Sequence, residues 1–253
     1  MTNEFTDDPQ AMIGTSGWSY PAWKHGFYPA DVPRRRFLDY YTTRFPATEL
    51  NASFYRLPSQ AMIAGWQART PAGFRFCVKL SRLITHNRRL RDCQRELATF
   101  LERIDPLSDR LGPVLAQLPP SLEFDRNAVS AFVAQWAEST SLELAIEARH
   151  ASWTDRSVSD WLVGRGVIPV VADSGGYWPV APAPEAGPVY LRYHGPGELY
   201  ASGYSPQKLG HEAGRIAAWL DEGRLVWAFF NNTDAGDAWR DARRLLRLVR
   251  KRA

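Results

Sequence analysis

Glutamate, lysine, arginine and histidine stand at the ends of apolar runs in this chain, where turn chemistry alone would favour glycine, asparagine, aspartate or serine. Glu49, Glu147 and Asp173 are carboxylates able to serve as general acid or base or to bind a hard cation, and His194 can share either task. Lys79, Arg149 and Arg192 supply fixed positive charge of the kind that clamps a phosphate or carboxylate. Gln117, His86, His150, Asn231 and Asn232 add hydrogen-bonding groups at comparable positions, while Trp18, Tyr20 and Tyr55 offer rings for stacking on a sugar or a base. Charges at such positions cost desolvation unless they are paired or meet a ligand. They either neutralise one another in the free protein or await an anionic substrate.

Acid, base and anion clamp thus coexist, and the loop His194-Gly-Pro-Gly197 adds backbone amides suited to phosphate. A divalent metal held by Glu49, Glu147, Asp173 and His194 is an alternative use of the same carboxylates, although no HxxxH, HxH or CxxC spacing supports one. No cofactor is demanded.

Eight short apolar or β-branched runs must position these groups: Met12–Thr15, Thr48–Asn51, Phe74–Lys79, Val114–Leu118, Leu142–Glu147, Val167–Val171, Val189–Tyr193 and Leu225–Phe230. Helical patterns fall between them at 34–44, 59–69, 89–104, 126–137, 155–165 and 206–222, with a last one at 235–251. Only the link from the sixth run to the seventh lacks a helix, because Tyr177 to Pro188 holds four prolines. Near-continuous apolar strands alternating with helices mean a parallel sheet covered on both faces, and eight such units predict a (β/α)8 TIM-type barrel in one domain. A doubly wound open sheet is the alternative. No GxGxxG or GxxxxGK[ST] fingerprint favours it. In a barrel, all eight strand ends meet at one mouth, so the groups named above share a cavity.

Composition sets outer bounds. With 45% hydrophobic and 23% charged residues, the chain is neither disordered nor collagen-like. Its longest apolar run, Leu225 to Phe230, is far too short to cross a bilayer, which excludes a membrane span. Residues 1–10 read as a flexible leader without the marks of a secretory signal, leaving residues 11–253 for the barrel and the cytoplasm as the expected compartment. Cys77 and Cys93 read as structural thiols. The net charge of +4 comes from the C-terminus: Arg240 to Ala253 alone carries +6, so the remaining residues sum to -2. Arg240, Arg243, Arg244, Arg247 and Arg250 lie opposite Ala242, Leu245, Leu246 and Val249 in an amphipathic terminal helix, read as a solvated face, with a phosphate-contacting stripe as the alternative.

Motifs along nearly the whole chain resemble those of one family. They are Ile13-Gly-Thr-Ser-Gly-Trp-Ser-Tyr20 with Phe27-Tyr-Pro29, Glu49-Leu-Asn-Ala-Ser-Phe-Tyr-Arg56, Phe76-Cys-Val-Lys79 with Ile84-Thr-His86, and Leu111-Gly-Pro-Val-Leu-Ala-Gln-Leu-Pro-Pro120. Glu147-Ala-Arg-His150 with Trp153, Tyr190-Leu-Arg-Tyr-His-Gly195 and Phe230-Asn-Asn232 complete the series. The chain is similar in these motifs to the domain of unknown function 72 (YecE-like) family, and the resemblance implies a bacterial, cytosolic TIM-type barrel with no established reaction. Ala148 departs from the aromatic expected there.

Three functions fit the mouth. The first is a hydrolase or lyase for a phosphate-containing substrate, nucleic acid included, with Glu147 or Asp173 as base, His194 as acid or ligand, and Lys79, Arg149 and Arg192 as clamp. The second is a sugar isomerase or glycosidase-like enzyme with two carboxylates flanking the reacting carbon. The third is a non-catalytic anion-binding module. The number of cations favours the first.

Overall fold

The computed structural model describes residues 11–234 and 236–252; the leader expected at residues 1–10 lies outside them. Eight parallel strands form one sheet: β1 (Ala11–Ser16), β2 (Ala47–Leu50), β3 (Arg75–Val78), β4 (Val114–Gln117), β5 (Leu144–Glu147), β6 (Val167–Asp173), β7 (Val189–Tyr193) and β8 (Val226–Phe230). Their order, β3-β2-β1-β8-β7-β6-β5-β4, is cyclic, and parallel bridges Phe76 to Leu111 and Lys79 to Leu115 close the seam between β3 and β4. Gly112 N–H donates to Phe76 O at 2.9 Å and Leu80 N–H to Leu115 O at 2.8 Å across that seam. The result is a TIM-type barrel, as the alternation of apolar runs and helical patterns predicts.

The outer layer is α1 (Phe37–Tyr41), α2 (Ala52–Tyr55), α3 (Gln60–Ala68), α4 (Gln94–Ile104), α5 (Arg126–Ser139), α6 (Arg156–Val163), α7 (Pro206–Asp221) and α8 (Asp237–Arg250). Ser59, Asp125, Asp155 and Ser205 cap α3, α5, α6 and α7 by accepting backbone N–H bonds at the helix starts. The helix expected over 89–104 begins only at Gln94, because Arg89, Leu90 and Asp92 take left-handed φ values while Leu90 is buried. Between β6 and β7 the proline-rich link forms no helix, as its sequence predicts. In α8, Ala242, Leu245, Leu246 and Val249 are buried, whereas Arg243, Arg244 and Arg247 are exposed. No helix among the described residues is long and apolar enough to cross a membrane.

Side-chain parity decides what reaches the mouth. Successive residues of a strand face opposite sides of the sheet, so every second residue points into the barrel. Ala47, Cys77, Leu115, Ala145, Ile168, Val170, Tyr190, Trp227 and Phe229 fill the interior as one apolar cluster, and their neighbours Val78, Ile146, Leu191 and Phe230 face the helices. Full burial of each large side chain contributes roughly 2 kcal/mol. Gly14 has no room for a side chain, since a Cβ there would lie 2.0 Å from the Ala47 carbonyl oxygen. Two residues beyond the interior cluster, the same parity delivers Glu49, Lys79, Gln117, Glu147, Arg192 and Asn231 to the mouth.

Candidate functional site

The floor of the mouth is a buried ion network built on β2, β5 and β7. Arg192 is 1% exposed and Glu49 and Glu147 are fully buried. The Arg192 guanidinium donates twice to Glu49, from Nε to Oε2 at 2.9 Å and from Nη2 to Oε1 at 2.6 Å, and its Nη1 donates to Glu147 Oε2. Ser16 Oγ at 2.8 Å and Tyr190 OH at 3.0 Å complete the shell of Glu49. Arg149 Nε donates to Glu147 Oε1 at 2.9 Å, and His194 Nε2 lies 3.5 Å from the same oxygen. Burial alone would raise the Glu147 carboxyl, but Arg192, Arg149 and His194 hold it well below the usual carboxylate range. Burial pulls His194 down and favours its neutral ring, whose Nδ1 lies 3.1 Å from Asn231 Nδ2 and whose Nε2 lies 3.5 Å from Arg192 Nη1 as well.

Above this floor lies a cleft of about 450 Å³ whose lining includes Lys79, His86, Gln117, Arg149, Asn231 and Tyr200. Lys79 Nζ donates to Gln117 Oε1 at 2.9 Å and sits 4.1 Å from the Phe54 ring centre, and neither contact carries charge. Burial, then the neighbouring Arg192 guanidinium, pull this amine down to about 7. The Arg149 guanidinium lies against the Trp178 ring at 3.6 Å, which fixes its plane at the cleft edge. His86 is pulled down to about 4 by burial and by Lys79, so it is neutral at physiological pH. Each carboxylate of the floor is matched by an arginine, whereas among the described residues no carboxylate forms an ion pair with Lys79.

Other expected site residues have different settings. Asp173 follows Val171 in outward parity, away from the network, and its carboxylate pairs with Lys208 Nζ on α7 at 3.1 Å. Asn232, next to outward-facing Phe230, donates to Asp241 Oδ2 and to the Ser202 carbonyl, both at 2.9 Å. His150 caps a short turn by accepting from Ser152 N–H. Trp18 packs edge-on against Trp66 at 5.5 Å, Tyr20 OH donates to the Ser16 carbonyl, and Tyr55 lines the cleft while 76% exposed. The four side chains considered as metal ligands, Glu49, Glu147, Asp173 and His194, do not converge. Arg192 stands between the two glutamates, and among the described residues no three acidic, histidine or cysteine side chains form a ligand set.

The family model described as "Protein of unknown function DUF72" matches residues 12–253. The chain belongs to the DUF72 family. Similar relatives are the UPF0759 protein YecE of Escherichia coli (strain K12), 30% identical over 171 residues, and the UPF0759 protein YunF of Bacillus subtilis (strain 168), 25% identical over 269 residues. The first match spans 64% of this chain and 58% of YecE, less than two thirds of that relative, while the second spans 94% of each. Among solved structures, a DUF72 family protein from Thermotoga maritima MSB8 superimposes with TM-score 0.84 at 30% identity, covering 95% of this chain and 99% of that one. A DUF72 family protein from Enterococcus faecalis V583 gives 0.78 at 20% identity, covering 95% of each chain, a likeness of fold alone.

In this DUF72 chain, several site residues were not evident as such in the sequence. Tyr190 hides in an apolar run, although it lies two positions before Arg192 and shares its parity. Tyr200 comes from an irregular segment, and Thr233 and Asp234 line the cleft just after β8. None carries a local pattern that sets it apart from loop packing.

Proposed function

We propose that this DUF72 chain is an enzyme, a lyase or hydrolase, acting on a small substrate that bears phosphate or carboxylate, with the anion held in the cleft between Lys79 and Arg149. The observation that carries this reading is the unmatched buried amine of Lys79. An anion placed beside it supplies the missing counter-charge and restores its proton, gaining from a low-dielectric setting. Arg149 presents its guanidinium edge already oriented by Glu147 and Trp178. Arg192 serves the site from below, by holding the two glutamates rather than by touching substrate. Glu147, kept ionised, orients Arg149 and His194 and makes a poor base. Proton transfer falls to Lys79, which changes charge near neutrality, and to the neutral His86 ring.

The clasp of Glu49 and Glu147 around Arg192 weighs against a sugar isomerase or glycosidase-like role, which needs two carboxylates flanking a reacting carbon. We place the reaction in the cytoplasm, a compartment that suits two unpaired buried thiols, Cys77 and Cys93.

Calorimetry with inorganic phosphate and small phosphorylated compounds tests the reading. Binding should weaken as salt rises, neutral sugars should not bind, and Arg149→Gln should lower affinity roughly tenfold to a hundredfold, the value of a charged hydrogen bond. Affinity equal for neutral sugars and phosphates, or unchanged in Arg149→Gln, contradicts it. Failure of every bound phosphorylated compound to turn over would assign the cleft to binding without catalysis.

A further inference from the structure

The surroundings of Lys79 favour chemistry beyond charge. Gln117 Nε2 donates to the Leu118 carbonyl at 2.7 Å, which fixes the amide so that its oxygen faces Lys79 Nζ. That oxygen accepts one N–H and offers the amine no proton. The Phe54 ring covers the amine at 4.1 Å, and the backbone carbonyl of Lys79 itself is held by Ser53 Oγ at 2.7 Å, so both ends of the residue are fixed. The lysine is 9% exposed, and the opening it has is onto the cleft it lines. A lysine desolvated beside other cations is the setting in which an amine keeps its lone pair and acts as a nucleophile.

We propose that Lys79 is a covalent catalyst that forms an imine with the aldehyde or ketone group of a small anionic substrate, whose phosphate or carboxylate rests against Arg149. This deepens the anion-site reading and rests on it. Lys79, protonated while an anion alone sits in the cleft, first releases that proton to solvent; the Nζ lone pair then attacks the carbonyl carbon, a C–N bond forms, and the C=O π pair moves to oxygen, which takes a proton. The carbinolamine then loses its hydroxyl together with the second N–H proton as water. The sum is Lys–NH2 plus O=C giving Lys–N=C plus water, with no redox change. His86 lines the same cleft with its Nδ1 engaged by Thr85 Oγ1 at 2.9 Å, leaving Nε2 to carry protons between the oxygen and solvent. The protonated imine withdraws electrons from the neighbouring bond, which places the reaction among cleavages or enolisations next to a carbonyl and selects the lyase branch of the proposed function.

The chain has four lysines, Lys24, Lys79, Lys208 and Lys251, so a trapped adduct is assigned by peptide mass spectrometry. The native full-length protein is incubated at pH 7 with glyoxylate or pyridoxal 5′-phosphate and cyanoborohydride, with acetaldehyde as the neutral probe. An amine titrating near 7 is neutral about a thousandfold more often at that pH than an ordinary lysine, so Lys79 should be labelled at least roughly a hundredfold faster than exposed Lys24 and Lys251. Excess inorganic phosphate should slow this labelling. Modification of Lys24 and Lys251 with Lys79 untouched by either anionic probe overturns the imine; if calorimetry still shows phosphate bound, the anion site stands without it. Equal labelling of Lys79 by acetaldehyde and the anionic probes, insensitive to phosphate, overturns the anionic substrate class and the reading beneath it.

Discussion

Arg192→Met is expected to destabilise the folded protein by about 3–5 kcal/mol, the cost of stranding buried carboxylates without their partner. The arginine makes a two-pronged contact with Glu49 and a third with Glu147, all three side chains are essentially sealed from water, and Arg149 reaches Glu147 but makes no ion pair with Glu49 among the described residues. Methionine matches much of the volume, so the loss is electrostatic. Adding Glu49→Gln and Glu147→Gln to Arg192→Met should recover much of the stability, because no buried carboxylate is then stranded, while Arg149 gives up its Glu147 partner but keeps its place on Trp178 at the cleft edge. Urea denaturation of the single and triple variants measures both effects. A single-variant loss under about 1 kcal/mol would mean that water or protons already neutralise the floor.

Lys79→Met should do the reverse to stability and abolish anion binding. The folded amine titrates near 7 and the unfolded one near 10.5, so between those values the unfolded chain binds more protons and stability rises with pH. Below about pH 7 the full desolvation penalty is present; it fades as pH climbs to 10.5. The methionine variant lacks this term. It should therefore be more stable than the parent at pH 7, with the gap narrowing by on the order of 4 kcal/mol by pH 10.5. Comparing the two proteins removes the other alkaline titrations. A constant gap across that window contradicts the assignment of a suppressed amine to Lys79.

Much of the barrel was legible because each strand reads as a short apolar run and most links carry a helical period. What the sequence conveyed less well was facing. Glu49, Lys79, Gln117, Glu147, Arg192 and Asn231 lie two residues beyond interior apolar positions, whereas Asp173 and Asn232 follow outward-facing Val171 and Phe230. Proximity to a strand end drew all of them into one expected site; counting by twos from Val170 and Phe229 separates them. The pairing pattern was hidden for a different reason. Whether Arg192 meets substrate or Glu49 depends on contacts between residues 143 positions apart, and no local spacing records those. The contact of Trp178 with Arg149 lay beyond reach too, since a proline-rich link gives no period from which to infer what a ring at the mouth covers.

The most direct measurement is the titration of the Lys79 ammonium by NMR on lysine-labelled protein, with and without inorganic phosphate. A midpoint near 7 in the free protein, moving upward as phosphate saturates, is the expected result, because the anion and the proton stabilise each other at one site. A midpoint in the ordinary range near 10.4, indifferent to phosphate, would contradict it and leave the cleft without the unmatched charge that defines it.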